Sequence, residues 1–183
     1  IQINDLVKAD STEAIQRMKT LGLHTAMLTG DTEKNAKAVQ KTTGIDEVFA
    51  RQMPEDKLKN LGALREKYGA VMFIGDGIND APVLAGADVG AAMGSGADAA
   101  IEAADVVFMT SRLSALNESY NIARKTKKIA YENVVFALAV KAAVMVLGLC
   151  GIASMWMAVF ADSGVAMLCV LNSIRVLYAK SLK

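Results

Sequence analysis

Within six residues, Gly75-Asp76-Gly77-Ile78-Asn79-Asp80 supplies two aspartates, an asparagine and two glycines, directly after the apolar run Ala70-Val71-Met72-Phe73-Ile74. A strand formed by that run would deliver Asp76 and Asp80 to its carboxyl end, where parallel sheets bind ligands. Two hard carboxylates there suit Mg²⁺, which prefers oxygen donors. Thr29-Gly30-Asp31 follows a second short apolar stretch, Ala26-Met27-Leu28. Thr29 offers a hydroxyl, and its loop offers N–H groups, to a phosphoryl oxygen. Lys57, just inside a helix, adds positive charge. Positioning and charge compensation are what phosphoryl transfer asks of a protein. Taken singly, a Thr-Gly-Asp is most often a turn and a lysine most often a surface residue. The Gly75–Asp80 segment is more specific, because a plain loop has no use for that donor set at the tip of an apolar strand.

A second pair of charged residues sits in a different setting. Lys141 interrupts the otherwise apolar run Val134–Ala153. As a helix this run would be about 30 Å long, the thickness of a bilayer core. Asp162 interrupts a second apolar run, Ala158–Leu177, which also holds Asn172 and Arg175. Ser154-Met155-Trp156-Met157 reads as the turn between them, with Trp156 suited to a membrane interface. The two runs therefore predict a transmembrane hairpin. A buried hairpin in a soluble core is the plainer alternative, and the lengths and the uncharged turn argue against it. An ionisable side chain is costly in lipid and is expected to face protein or a polar path. The plainer reading of Lys141 is snorkelling to the interface, which its distance from either end of the span argues against. Asp162 can ligate a divalent cation, and Gly164 leaves room beside it. Lys141 can repel that cation or neutralise the carboxylate after release. With the turn at 154–157, Lys141 would lie about 18 Å from the end of its span and Asp162 about 6 Å into the next, so contact at rest is not required.

The elements that must position these residues follow from pattern. Residues 133–183 carry only Lys141, Arg175, Lys180, Lys183 and Asp162 as charges, whereas residues 1–132 hold the remaining 16 basic and 18 acidic side chains. A charged part long enough to bury a core is thus joined to an apolar part. In the charged part, short apolar runs alternate with amphipathic ones, the mark of an α/β fold. Thr12–Gly22 reads as a helix capped by Asp10 or Ser11 and ended by Gly22. Glu33–Thr43 is helical, and a third helix opens on Pro54, as a first turn tolerates. Ala70–Ile74 is the most apolar strand and is expected to be central. Ala87–Gly94 and Ala103–Met109 contain two more strands. Leu113–Glu132 reads as a long polar helix running on into the apolar region. Arg124, Lys125, Lys127 and Lys128 before the hairpin, and Lys180 and Lys183 after it, place both its ends on the cytoplasmic side. The net charge of +1 excludes a nucleic-acid field. Cys150 and Cys169 lack zinc spacing and suggest no disulfide framework. His24, the sole histidine, is expected at the surface. The opening Ile1-Gln2-Ile3-Asn4-Asp5 reads as a strand without an initiator methionine, as in a fragment.

Together, "MLTGD", "PEDK", "GDGINDAP", "ADVGAAMG" and "AADVVFM" resemble the second half of the phosphorylation domain of P-type ATPases, within the haloacid-dehalogenase-like hydrolases. The following pair of helices, with Lys141 and "SMWMAVFADSGVAML", resembles the last two membrane helices of the zinc, cadmium and lead branch. The likeness covers nearly the whole chain. It implies that Thr29, Gly30 and Asp31 form a phosphate-contacting loop, also used in phosphoenzyme hydrolysis. Lys57 would contact the phosphorylated aspartate. Asp76 and Asp80 would serve Mg²⁺, with Asn79 in support. Asp162 would bind the transported ion and Lys141 would be its counter-ion.

The implied fold is a partial, three-layer haloacid-dehalogenase-like α/β domain followed by an all-α transmembrane hairpin. Its parts are the phosphorylation-domain segment at 1–112, a linking cytoplasmic helix at 113–132, membrane helices at 133–153 and 158–178, an extracytoplasmic turn at 154–157 and a cytoplasmic tail at 179–183. The implied function is part of an ATP-driven exporter of Zn²⁺, Cd²⁺ or Pb²⁺. ATP would bind mainly to regions absent from this sequence. The implied partners are the bilayer, the divalent metal ion and the remaining domains and helices of the same pump. The implied location is a bacterial inner membrane. The "DKTGT" segment bearing the phosphorylated aspartate and the membrane cysteine-proline-cysteine site are not in this sequence. Asp5 lacks the following threonine needed for a nucleophile motif, and Lys8-Ala9 stand where the family often has arginine-proline. Alone, the chain is expected neither to hydrolyse ATP nor to transport an ion. The rival readings are a membrane-anchored phosphatase of the same superfamily, for which no nucleophile motif is visible, and a non-catalytic membrane fragment.

Overall fold

The computed structural model describes residues 10–94, 96–152 and 154–177. The opening strand, Asp5, Lys8-Ala9 and the tail with Lys180 and Lys183 lie outside the described residues. The chain divides into two compact units, Ile1–Asn117 and Glu118–Lys183.

In the first unit, α1 (Ser11–Thr20), β1 (Ala26–Leu28), α2 (Glu33–Thr43), β2 (Glu47–Phe49), α3 (Pro54–Tyr68) and β3 (Met72–Gly75) alternate strictly. A 3₁₀ turn at Ile78–Asp80, α4 (Ala81–Gly86), β4 (Val89–Met93), α5 (Asp98–Glu102) and β5 (Val106–Phe108) follow. All strand pairs are parallel, as helical crossovers require. They form two sheets, β1-β2 and β3-β4-β5. In register, Ala26 faces Glu47 and Leu28 faces Phe49, while Gly75 faces Ala92 and Ala91 faces Val106. One core cluster joins Leu61, Phe73, Val83, Leu84 and Ala100, and another joins Ala91, Met93, Phe108 and Leu116.

Local chemistry explains the element limits. Gly44 closes α2 in the left-handed region at φ 78°, with its N–H on the Gln40 carbonyl at 2.8 Å. At the start of α3, Pro54 occupies the first turn and Asp56 reaches back to accept the Met53 N–H at 3.1 Å. Two expectations are corrected. Asp10 stands at the α1 cap, but its carboxylate accepts the Ser114 N–H at 3.3 Å instead of capping its own helix. β3 is not central: among the described residues it ends the three-stranded sheet, and β4 is the middle strand. Small residues make β4 the buried one. Gly90, Ala91 and Ala92 let α4 approach so closely that a Cβ at Gly90 would lie 2.5 Å from the Leu84 carbonyl oxygen. Met72 of β3 is instead exposed.

Helix α6, Ser114–Leu149, is continuous from the polar stretch into the apolar one. α7 (Met155–Val159), a π-helical turn (Phe160–Gly164), α8 (Val165–Ser173) and a 3₁₀ turn (Ile174–Val176) make up the return. Ser114–Leu149 and Met155–Val176 are each long and apolar enough to cross a bilayer. The expected turn at 154–157 is displaced: α6 ends at Leu149, and Met155 to Met157 are already helical. Gly151, at φ 72°, is the cause. The Ile152 N–H bonds the Leu147 carbonyl and the Gly151 N–H the Gly148 carbonyl, each at 3.0 Å, which closes α6 in a Schellman motif. Ser154 then caps α7 by accepting the Met157 N–H at 3.4 Å.

Candidate functional site

Both segments with phosphate chemistry leave the carboxyl ends of parallel strands, Thr29–Asp31 after β1 and Asp76–Asp80 after β3. The first is held by backbone. The Thr29 N–H donates to the Phe49 carbonyl at 2.9 Å, and the Thr29 carbonyl accepts the Gln52 N–H at 2.9 Å. The Asp31 carbonyl accepts the Arg51 N–H at 2.9 Å. The Thr29 hydroxyl accepts the Asp31 N–H at 3.1 Å, which leaves its own proton free to turn outward. Gly30 is exposed.

Residues 50–52 thus tie this loop to the entrance of α3, which carries Lys57. The Lys57 ammonium meets the Asp80 carboxylate, Nζ to Oδ1, at 2.7 Å, with only 14% and 15% of the two side chains exposed. The other Asp80 oxygen accepts the Gly77 N–H at 3.3 Å, while the Asp80 N–H returns to the Gly77 carbonyl at 3.0 Å. Gly75 makes room for this carboxylate: a Cβ there would lie 2.7 Å from Asp80 Cβ. Asp76 and Asn79 are exposed, and neither side chain has a hydrogen bond or ion pair among the described residues. The Asp76 backbone is braced from below. Its carbonyl accepts the Ala97 N–H at 2.9 Å, and a Cβ at Gly96 would lie 2.8 Å from that oxygen.

The donor chemistry fits Mg²⁺, with Asp76 as its carboxylate. Asp80 has both oxygens engaged and is the residue that orients Lys57. Among the described residues no group of three or more His, Cys, Asp or Glu side chains is placed to hold a metal ion. Mg²⁺ keeps waters and takes one or two carboxylates plus phosphate oxygens. Three participants were not legible in the sequence. Arg51 adopts φ 54°, which no local motif announces for an arginine. Gln52 is bonded through its side chain to Asn60, one turn beyond Lys57, and that contact crosses eight residues without a pattern.

In the second unit, Lys141 and Asp162 form an ion pair, Nζ to Oδ1, at 3.1 Å. The displaced turn explains why. Lys141 is eight residues before Leu149 and Asp162 seven after Met155, so both lie about 11 Å from the break. The π turn at Phe160–Gly164 surrounds Asp162, and such turns recur at functional sites. The Phe160 ring folds over Gly164, where a Cβ would come within 2.7 Å of it. Lys141, Val144, Met145, Ala158, Ala161 and Asp162 line a cleft of about 330 Å³.

Residues 1–88 match the haloacid dehalogenase-like hydrolase family. The cadmium, zinc and cobalt-transporting ATPase of Bacillus subtilis is 48% identical over 186 aligned positions, covering 99% of this chain and 26% of that protein. The zinc-transporting ATPase of Synechocystis is 48% identical over 180, covering 96% and 25%. The crystal structure of a zinc-transporting PIB-type ATPase in the E2.Pi state superposes with a TM-score of 0.91 at 37% identity, covering 95% of this chain and 28% of that one. The chain thus spans about a quarter of the length of the curated relatives it matches, and it belongs to the heavy-metal P-type ATPases.

Proposed function

We propose that the chain is the part of an ATP-driven divalent heavy-metal exporter that joins phosphate handling to the ion path. The observation that carries this reading is the Lys141–Asp162 pair, buried in no protein core and set within two otherwise apolar helices. A carboxylate in a bilayer needs a cation. A transported Zn²⁺ or Cd²⁺ fills that need in one state, and the lysine ammonium fills it when the ion has left. The relatives named for zinc, cadmium or cobalt transport support the substrate class.

In the first unit, Thr29, Gly30 and Asp31 contact the phosphoryl group and Lys57 neutralises it. Asp76 holds Mg²⁺, which supplies charge compensation at the phosphate when bound. Asn79 assists, and Asp80 keeps Lys57 in place. The β1-β2 and β3-β4-β5 sheets are separate, and neither β1 nor β2 has a buried residue. That exposure suits a sheet completed by a further segment of the longer protein, one carrying the phosphorylated aspartate. The basic stretch Arg124–Lys128 puts the first unit on the cytoplasmic face, and the membrane is a bacterial inner membrane. The remaining domains and helices of the same pump complete the nucleotide and ion sites.

The test uses the full-length protein in sealed vesicles. ATP is expected to drive Zn²⁺ or Cd²⁺ across the membrane, with ATP hydrolysis rising several-fold on metal addition. Hydrolysis indifferent to every divalent heavy metal would contradict the proposal.

A further inference from the structure

The two apolar helices share a second meeting point, and it is made of hydrogen bonds. Asn133 of α6 uses its whole side-chain amide on the return helix. Its Nδ2 donates to the Cys169 carbonyl at 3.1 Å and to the Ser173 hydroxyl at 2.9 Å. Its Oδ1 accepts from Asn172 Nδ2 at 2.8 Å. Asn172 is held in that orientation by Arg175, whose Nη1 donates to the Asn172 Oδ1 at 2.8 Å. Arg175 in turn lies 3.8 Å from the Glu132 carboxylate. Ser173 is anchored through its hydroxyl on the Cys169 carbonyl at 2.8 Å.

Asn133 precedes Lys141 by eight residues, and Cys169, Asn172 and Ser173 follow Asp162 by seven to eleven. Along antiparallel helices these separations match, about 12 Å against about 10–16 Å. The amide cluster and the ion pair therefore satisfy one and the same helix register. A slip by one turn, about 5.4 Å, would break both together. The ion pair cannot hold this register alone, because the counter-ion role requires Asp162 to let go of Lys141. Interhelical polar bonds add about 0.6 kcal/mol each to the van der Waals packing that joins helices in lipid, so three made by one side chain weight a single register over its neighbours.

We propose that Asn133 is a positioning residue that fixes the register of the two membrane helices, so that Asp162 returns opposite Lys141 after each ion leaves. This rests on the ion-export reading, and the test separates the two. It uses the full-length protein with Zn²⁺ as the probe. Asn133→Leu is expected to raise the Zn²⁺ concentration for half-maximal ATP hydrolysis about tenfold, with phosphorylation by inorganic phosphate unchanged. In an Asn133→Leu, Lys141→Met double variant the shift should equal that of Lys141→Met alone, because both changes act through one contact. Asn172→Ala, which removes one bond, is expected to shift the same value about threefold. It decides the question if Asn133→Leu does not fold.

Register is also read without transport. With Cys150 and Cys169 replaced by alanine, Val144→Cys and Ala158→Cys should be joined by a bifunctional thiol reagent in the otherwise unchanged protein. The yield should be several-fold lower with Asn133→Leu or Asn172→Ala. Unchanged cross-linking and Zn²⁺ dependence in both variants would overturn the proposal, as would multiplying effects in the double variant. A protein whose ATP hydrolysis ignores metal, yet whose cross-link depends on Asn133, would overturn the export reading and leave the register role standing.

Discussion

Lys57 and Asp80 are the residues whose roles changed most between pattern and structure. In the sequence they are 23 residues apart, and each has a reason of its own to be polar. In the structure they share one contact of 2.7 Å at about 15% exposure, where water screens poorly. Asp80 therefore aims Lys57, and Asp76 is left as the free carboxylate. In the full-length protein, Lys57→Met is expected to slow phosphoenzyme hydrolysis at least about a hundredfold. Asp80→Asn added to it should cost less than its separate effect, since the two act as a unit. Multiplying effects in quenched-flow hydrolysis assays would show that the ion pair does not matter to the chemistry. Gly75→Ala is expected to be worse than its single methyl suggests. The new Cβ would meet Asp80 Cβ at 2.7 Å, and relieving such overpacking costs about 1–3 kcal/mol. A Gly62→Ala control meets nothing within 4 Å and should leave Mg²⁺-dependent phosphorylation intact. Equal phosphorylation by the two variants would sink the steric argument.

The strands β1 and β2 are fastened at the end opposite the Thr29–Asp31 loop. Thr25 donates its N–H and hydroxyl to Asp46 at 3.0 and 2.7 Å, and Lys19 pairs with the same carboxylate at 2.7 Å. Burial pushes the Asp46 carboxyl up, but the Lys19 and Thr25 bonds outweigh it and bring it down to about 2. Glu47 is lowered to about 2 by Lys67 first and then Tyr68, and His24 stacks on Tyr68 at 3.9 Å while meeting Glu47 at 3.1 Å. His24 is thus tied into a cluster as well as lying near the surface. Both carboxyls are depressed on folding. Their contribution is complete above the unfolded values near 4 and is lost as pH falls towards 2. Thermal unfolding of the protein in detergent should drop steeply between about pH 4.5 and 2, and Glu47→Gln should flatten that drop. A wild-type midpoint unchanged over that window would contradict the assignment.

At this scale the sequence was readable where a single residue punctuates the chain. Glu33–Thr43 is bounded by Gly44, Pro54 opens α3, and Asp76 and Asp80 follow an apolar strand. It was less readable where apolar pattern alone had to serve. The hydropathy of Val134–Ala153 runs past the helix end, although Gly151 followed by Ser154 is a stop-and-restart signal. β3 is almost wholly apolar yet ends its sheet among the described residues, because apolarity reports two covered faces and not which neighbour pairs with each edge. The π turn around Asp162 has no sequence signature, since one extra residue in a turn leaves hydropathy unchanged.

Over the whole chain, an α/β unit and an apolar hairpin are joined through one continuous helix, α6. The division into a charged and an apolar part was plain from where the charges stop, near Asn133. The meeting of Lys141 with Asp162 was not, because α6 ends at Leu149, four residues before its apolar run does. Val134, Leu138 and Val146 of α6 are each more than half exposed among the described residues, as lipid or further helices of a longer protein would require. The proposed export function turns on Asp162 as a ligand of the transported ion. The most direct measurement is Zn²⁺ bound per full-length protein carrying Asp162→Asn, together with its metal-stimulated ATP hydrolysis and its phosphorylation by inorganic phosphate. Loss of bound Zn²⁺ and of metal stimulation, with phosphorylation by phosphate retained, is the expected result. Normal Zn²⁺ binding with normal stimulation would contradict it.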